Sequence, residues 1–179
     1  MRARDSQRSR VYLADNALKP FATMLPGVKD VEEFVADLWA SKRFQAAFPS
    51  ALIRGVPRVG DGRGRRKACG NAVEIKIPLW ARRSDVVIHE LAHTLTRRKF
   101  GYGSDIASHG WQFCETYLTL TRIVLGGIAE RALRDAMKKH RVRFKPKRKM
   151  SDEQRAACAA RLSVYRANHP ELLAAKEAE

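Results

Sequence analysis

Cysteine is scarce in this chain and never closely paired. Cys69, Cys114 and Cys158 are an odd number, widely spaced and without a C-x-x-C pair, which argues against a disulfide framework and against a zinc ribbon. The three thiols are expected to be reduced and structural. Long apolar runs are missing too: the longest, IVLGGIA from Ile123 to Ala129, is far below the roughly 18 to 20 residues of a membrane helix. Nor does the N-terminus read as a secretory leader, because the basic MRARDSQRSR is followed by a stretch interrupted by Asp15, Asn16 and Lys19. A cytoplasmic protein without membrane contact is the expectation.

Acidic residues are also in deficit, with 19 Asp and Glu against 35 Lys and Arg for a net charge of +16. The surplus sits in segments. Residues 1–10 carry four arginines against Asp5, residues 54–67 carry six basic residues against Asp61, and residues 131–149 carry ten against Asp135. Segmental basicity suits a polyanionic partner better than a uniform solubility charge does. The alternative is a set of solvated basic loops. Lys138, Lys139, Arg141, Arg143, Lys145, Lys147, Arg148 and Lys149 are the expected contacts to a nucleic-acid backbone.

A length of 179 residues allows one domain with a real core plus an appendage. Asp30 with Glu33 predicts a capping box for a helix over VEEFVADLWASKRFQAAF, with Val31, Phe34, Val35, Leu38 and Trp39 on its buried face. Residues 54–71 read as a Gly- and Arg-rich loop after a short strand near Leu52. In AVEIKIPLW, Val73, Ile75, Ile77 and Leu79 alternate with polar residues, the period of a half-buried strand.

Ser84 is the expected N-cap of a helix to about Arg97, with Val87, Leu91 and Leu95 facing the core. Gly101, Gly103 and Asp105 mark a loop, and a helix follows from about Ser108 to Leu125 with Phe113, Tyr117, Leu120 and Val124 on one face. Gly126 and Gly127 break it before a shorter amphipathic helix. A basic, Pro-interrupted linker leads to a last helix capped by Ser151 and Gln154, with Cys158, Leu162 and Tyr165 on one side. The pattern predicts an α+β fold with a small, mostly antiparallel sheet packed on helices. The expected division is residues 1–140 as the main domain and 141–179 as a basic linker with a helical extension.

The stretch VVIHELAHTL, Val86 to Leu95, carries the chemistry. On a helix His89 and His93 lie one turn apart on the same face and can aim imidazole nitrogens at one ion. Catalytic zinc takes three protein ligands and keeps one position open, and Glu90, about 100° round the helix, is placed as a general base. The uncharged neighbours Val86, Val87, Ile88, Leu91, Ala92, Thr94 and Leu95 favour a metal site over a chance match. Two residues compete as third ligand, His109 and Glu115, which face different ways on the following helix.

Other residues have blander readings. Tyr102 and Tyr117 could donate to an oxyanion, though packing is the commoner role of such tyrosines. Trp80 and Trp111 could line a cleft, though core burial is the stronger expectation. His140 and His169 are expected to be solvated, and Cys114 to be an inert core thiol.

HELAH followed by HGWQF resembles the H-E-x-x-H and H-G-x-x-F pair of the SprT-like zinc metallopeptidases. The opening RDSQRSRVYLAD with the same site also resembles a group of small metallohydrolases from actinobacteria and their phages. The strong part of the likeness covers residues 72–125. It implies a zincin-like fold, one Zn2+ per chain, His109 as third ligand, Gly110 allowing close approach to the metal, and Phe113 packing beneath it. It also implies a sheet edge beside the motif helix that holds an extended peptide, and residues 72–80 are placed to supply it. The chain departs from many SprT-like proteins in lacking cysteine pairs after the site, and hence a C-terminal zinc ribbon.

The resulting expectation is a zinc-dependent metallohydrolase, a metallopeptidase acting on protein or peptide, with DNA-associated proteins as a possible substrate class. One alternative is a regulatory peptidase with one dedicated protein target. Another is a nucleic-acid-binding protein whose zinc is not catalytic. Oligomeric state is not legible.

Overall fold

The computed structural model describes residues 3–101, 106–146 and 150–169. Tyr102, Gly103, Asp105, Lys147, Arg148 and Lys149, named above, lie outside the described residues. The chain divides into two units after Pro146. In chain order the first unit holds α1 (Arg8–Asp15), a 3-10 turn (Asn16–Phe21), α2 (Val28–Ala40), α3 (Lys42–Ala47), α4 (Pro49–Leu52), β1 (Arg58–Asp61), β2 (Cys69–Gly70), β3 (Glu74–Ile77), a second 3-10 turn (Leu79–Ala81), α5 (Ser84–Phe100), α6 (Trp111–Val124) and α7 (Gly126–Lys139). The second holds α8 (Asp152–Asn168).

The architecture is α+β, with the strands in the order β1-β3-β2. The sheet is mixed rather than mostly antiparallel: β1 runs parallel to β3, pairing Arg58 with Glu74, while β2 runs antiparallel, pairing Cys69 with Lys76. In β3, Ile75 and Ile77 are fully buried, whereas Val73 and Leu79 are exposed and fall outside the strand. The alternation is therefore real but shorter than its sequence pattern. β3 is the central strand, so it cannot offer the free edge expected of residues 72–80. That edge belongs to β2, which packs against α5.

Three local expectations are corrected. Leu52 lies in the helical turn α4, and the first strand is β1, inside the segment read as loop. α2 starts earlier than the Asp30–Glu33 pattern implies. Gly27 is its N-cap, and its N–H donates to Asp30 Oδ2 at 2.6 Å, so Asp30 caps from inside the first turn. α2 also ends at Ala40, where Ser41 turns extended. The break lets Phe44 pack on Trp39 with ring centroids 4.5 Å apart. Ser84 does not cap α5, because its hydroxyl accepts from the Thr23 N–H at 2.9 Å and Arg83 takes the cap position.

α5 is buried on most of its surface, with Val87, Ile88, Leu91 and Ala92 fully enclosed. It packs on the sheet through β2 and β3 and on α6 along its other side. Burying each large aliphatic chain contributes about 1.5–3 kcal/mol. Asp85 in the first turn and Arg97, Arg98 and Lys99 in the last suit the helix dipole. Gly101, at φ +81°, then ends the helix in a conformation that favours glycine.

α1 divides its faces at helical spacing. Val11, Ala14 and, in the following turn, Leu18 are fully buried, with α1 packed on α7. Arg8, Tyr12 and Asp15 lie on the opposite side, at i, i+4 and i+7. Residues 23–25 tie this region to the start of α5, through the Ser84 N–H to Thr23 carbonyl bond at 2.9 Å and the Leu25 N–H to Arg82 carbonyl bond at 2.8 Å. Residues 141–146 belong to the same unit: Val142 is buried in its core and Gln7 holds the Arg143 backbone.

In the second unit, Ser151 and Gln154 form the reciprocal cap that the sequence predicts, each side chain meeting the other's backbone N–H at 3.1 Å. No residue of α8 is buried. No helix of the described residues is long and apolar enough to cross a membrane.

Candidate metal centre

His89 and His93 project from one face of α5, one turn apart, with ring centroids 5.0 Å apart. His109 precedes Gly110, the N-cap of α6, and its ring lies 5.5 Å from that of His89 and 4.8 Å from that of His93. One ligand nitrogen from each of the three lies within 4.8 Å of the others. Phe113, one turn into α6 and fully buried, sits 4.3 Å from the His93 ring and 5.0 Å from each of the other two. Glu115 points out to solvent from the same helix. Gly110 serves local packing: a Cβ there would come within 2.9 Å of Gln112 Oε1 and 3.1 Å of the Ala107 carbonyl oxygen.

The N-terminal region orients two of the imidazoles. His109 Nδ1 lies 2.8 Å from Asp5 Oδ2, and the His109 N–H donates to Asp5 Oδ1 at 3.2 Å. A carboxylate at Nδ1 makes that nitrogen the donor and leaves Nε2 with a lone pair. His109 Nε2 is buried and has no hydrogen-bond partner among the described residues, a deficit worth about 1–3 kcal/mol. A cation shared with His89 and His93 would remove that deficit. His89 Nδ1 lies 3.0 Å from Asp15 Oδ2 but off the direction of a hydrogen bond, so the pair is electrostatic. Tyr12 stacks on His89 at 5.7 Å and meets His109 edge-on at 5.2 Å.

No protein-family model, curated protein or solved structure matches the chain.

The three histidines can therefore hold a metal ion on the strength of their own geometry. Their protonation is uneven. Burial works against charging His89, but Asp15, with Glu90 and Asp85, outweighs it and raises its pKa. Burial pushes His93 well down, helped by its two histidine neighbours, and pushes His109 down against the pull of Asp5. Neutral imidazole is the ligating form. Burial also raises the Glu90 carboxyl, opposed by His89 and the Gly70 N–H, and a raised carboxyl is suited to proton transfer near neutral pH.

Two clefts flank the histidines. One, of about 330 Å³, is bounded by Tyr12, Asp15, Trp80, Val86, His89 and Tyr117 among others. The second, of about 200 Å³, reaches Asp5, Cys69, Gly70, His93, Arg97 and His109. Arg8, Tyr12, Lys67, Ala68 and Glu90 line both. Arg8 lies over the Tyr12 ring at 5.5 Å. Gly70 lets β2 approach α5 where any Cβ would collide with the Glu90 carbonyl, and Arg97 donates to the Gly70 carbonyl.

The remaining expected residues scatter. Trp80 is 60% exposed on the larger cleft, not in the core. Trp111 is half-buried against Phe100 at 6.2 Å. Tyr117 is buried 5.3 Å from the His89 ring. His140 is half-buried at the end of α7, and His169 stacks on Tyr165. Lys138, Lys139, Arg141, Arg143 and Lys145 are exposed, with Lys138 paired to Asp135 at 2.8 Å. Asp5, Tyr12 and Asp15 were not singled out as site residues by the sequence. The signals available were their place in RDSQRSRVYLAD, a stretch the resemblance includes, and an aromatic ring on the polar face of a short helix.

Proposed function

We propose that this chain is a zinc-dependent metallohydrolase, a metallopeptidase of the SprT-like, zincin-like kind, with His89, His93 and His109 as ligands. The observation that carries the reading is the meeting of three histidine nitrogens within 4.8 Å while Glu90, 8% exposed, lines both clefts beside them. An all-nitrogen set without thiolate or carboxylate suits zinc, and the orphaned His109 Nε2 fits such a ligand. When bound, zinc supplies Lewis-acid polarisation of a carbonyl oxygen.

The chain's own groups have the other roles. Glu90 would take a proton from the attacking water and return it to the leaving amine as the peptide bond breaks. Asp5 orients His109 through Nδ1 and the backbone N–H, and Asp15 stands beside His89 as a counter-charge. Residues 67–70, ending in the edge strand β2, form the wall along which an extended peptide can pair. Trp80, Tyr12 and Val86 give the larger cleft an apolar lining suited to a substrate side chain.

The test compares wild type with Glu90→Gln in zinc content and in cleavage of a mixed protein set, with and without DNA. Zinc is expected in both at about one per chain, with cleavage falling by orders of magnitude in the variant. Equal cleavage removes Glu90 from the mechanism. Zinc without cleavage of any protein by the wild type favours a dedicated target or a non-catalytic metal.

A further inference from the structure

A third cavity, of about 230 Å³, lies beside the His109 backbone and uses none of the imidazoles. Arg4, Ser6, Gln7, Arg10, Arg141 and Arg143 line it, together with Ala107 and Gly110. Four arginines thus line one concavity, and among the described residues no carboxylate does. Among the described residues none of the four has an ion-pair partner. The nearest acid in sequence, Asp5, has both oxygens engaged by His109. Like charges gathered without a counter-charge repel each other, and an anion relieves that repulsion.

The cavity is held together by specific bonds. Gln7, 7% exposed, donates through Nε2 to the His109 carbonyl at 2.6 Å and the Arg143 carbonyl at 3.0 Å, while the Arg143 N–H donates back to Gln7 Oε1 at 3.0 Å. Arg10 Nη1 donates to the Arg141 carbonyl at 2.8 Å. Arg141 itself sits at φ +54°, the sole non-glycine with positive φ among the described residues. It follows the end of α7, where glycine is the favoured occupant. An arginine there bears a backbone penalty that a glycine would not. Gly110 adds the N-terminus of the 14-residue helix α6, which no side chain among the described residues caps, so its positive end borders the same space.

We propose that this cavity is a phosphate-binding site, filled by a backbone phosphate of a nucleic-acid strand or by free phosphate. Guanidinium forks match the oxygens of a phosphate, and four of them exceed what a single carboxylate would balance. The volume has room for a phosphate and part of what it is attached to, given roughly 30 Å³ for one water. The site is independent of the metal and of any hydrolytic activity.

The test uses the full chain and two probes: inorganic phosphate by calorimetry in phosphate-free buffer, and a fluorescent single-stranded oligonucleotide by anisotropy at moderate salt. Wild type is compared with Arg4→Ala/Arg143→Ala and with Lys42→Ala/Arg43→Ala, which removes equal charge at exposed positions outside the cavity and outside the basic segments. At least one probe is expected to bind saturably and to lose at least about tenfold in affinity in the cavity variant, against less than about threefold in the control variant. Which probe behaves so identifies the source of the phosphate. Circular dichroism checks the fold. If the double variant does not fold, Arg4→Gln against Lys42→Ala repeats the comparison charge for charge, since the Arg4 side chain makes no hydrogen bond within the described fold. Saturable binding of neither probe, or equal losses in the two variants, overturns the site.

Discussion

Asp5 and His109, 104 residues apart in sequence, meet through two contacts: Oδ2 at 2.8 Å from the imidazole Nδ1 and Oδ1 accepting from the backbone N–H at 3.2 Å. A carboxylate so placed fixes both the tautomer and the angle of an imidazole in the three-histidine cluster. Asp5→Ala should therefore leave the fold intact and weaken metal binding by roughly 10–100-fold. Competition against a chromophoric chelator measures this, and an unchanged affinity would show that His109 needs no such support.

Metal retention should follow the three histidines and ignore Glu115. His89→Ala, His93→Ala and His109→Ala should each lose most of the bound metal, while Glu115→Ala, altering an exposed side chain, should keep it. Elemental analysis by mass spectrometry after dialysis reads the difference. Loss in Glu115→Ala with retention in His109→Ala would reassign the third ligand.

Phe113 is fully buried under all three imidazole rings. Phe113→Ala should cost about 3–5 kcal/mol in urea unfolding, because the rings above it cannot close the cavity without abandoning their arrangement. Metal affinity should fall as well. A loss of stability under about 1 kcal/mol would mean that the surrounding core collapses to fill the space.

Thiol reactivity should rank by burial. Cys158 is exposed, Cys69 half-buried and Cys114 buried, and burial, aided by Asp15 and Asp5, pushes the Cys114 thiol up to about 12. The thiolate is the reactive form, so at pH 8 about one Cys114 in 10⁴ is ionised. Raising the pH towards 10 should increase that fraction about tenfold per unit without making it large. Timed alkylation with peptide mapping should show Cys158 labelled first and Cys114 last while the protein stays folded. Early labelling of Cys114 would contradict its burial.

Much of the fold was legible because local periodicity survives folding. Val87, Leu91 and Leu95 mark the core face of α5, and Ile75 with Ile77 mark β3, since a buried helix face and a half-buried strand each impose their own spacing. The Ser151–Gln154 cap was legible for the same reason, being complete within four residues. Errors arose where a local pattern had a distant competitor. Ser84 resembles an N-cap, but its hydroxyl serves the Thr23 N–H. The run from Val31 to Phe48 reads as one helix, but it breaks at Ser41, where Phe44 packs on Trp39.

The chemistry divides along the same line. H-E-x-x-H determines by itself that His89 and His93 share a helix face with Glu90 beside them, because 3.6 residues per turn leaves no other outcome. The segmental positive charge was likewise plain from composition. Only the tertiary structure decided between His109 and Glu115 as the third member of the cluster, since both lie at plausible spacing and only packing of α6 on α5 shows which faces inward. It alone brought Asp5, Tyr12 and Asp15 over the histidines and gathered Arg4 and Arg10 with Arg141 and Arg143. Those meetings span about a hundred residues of chain, and no periodicity carries over such a distance. They arise because α1, with Val11 and Ala14 fully buried, packs on α7, which carries its polar face to the histidine cluster.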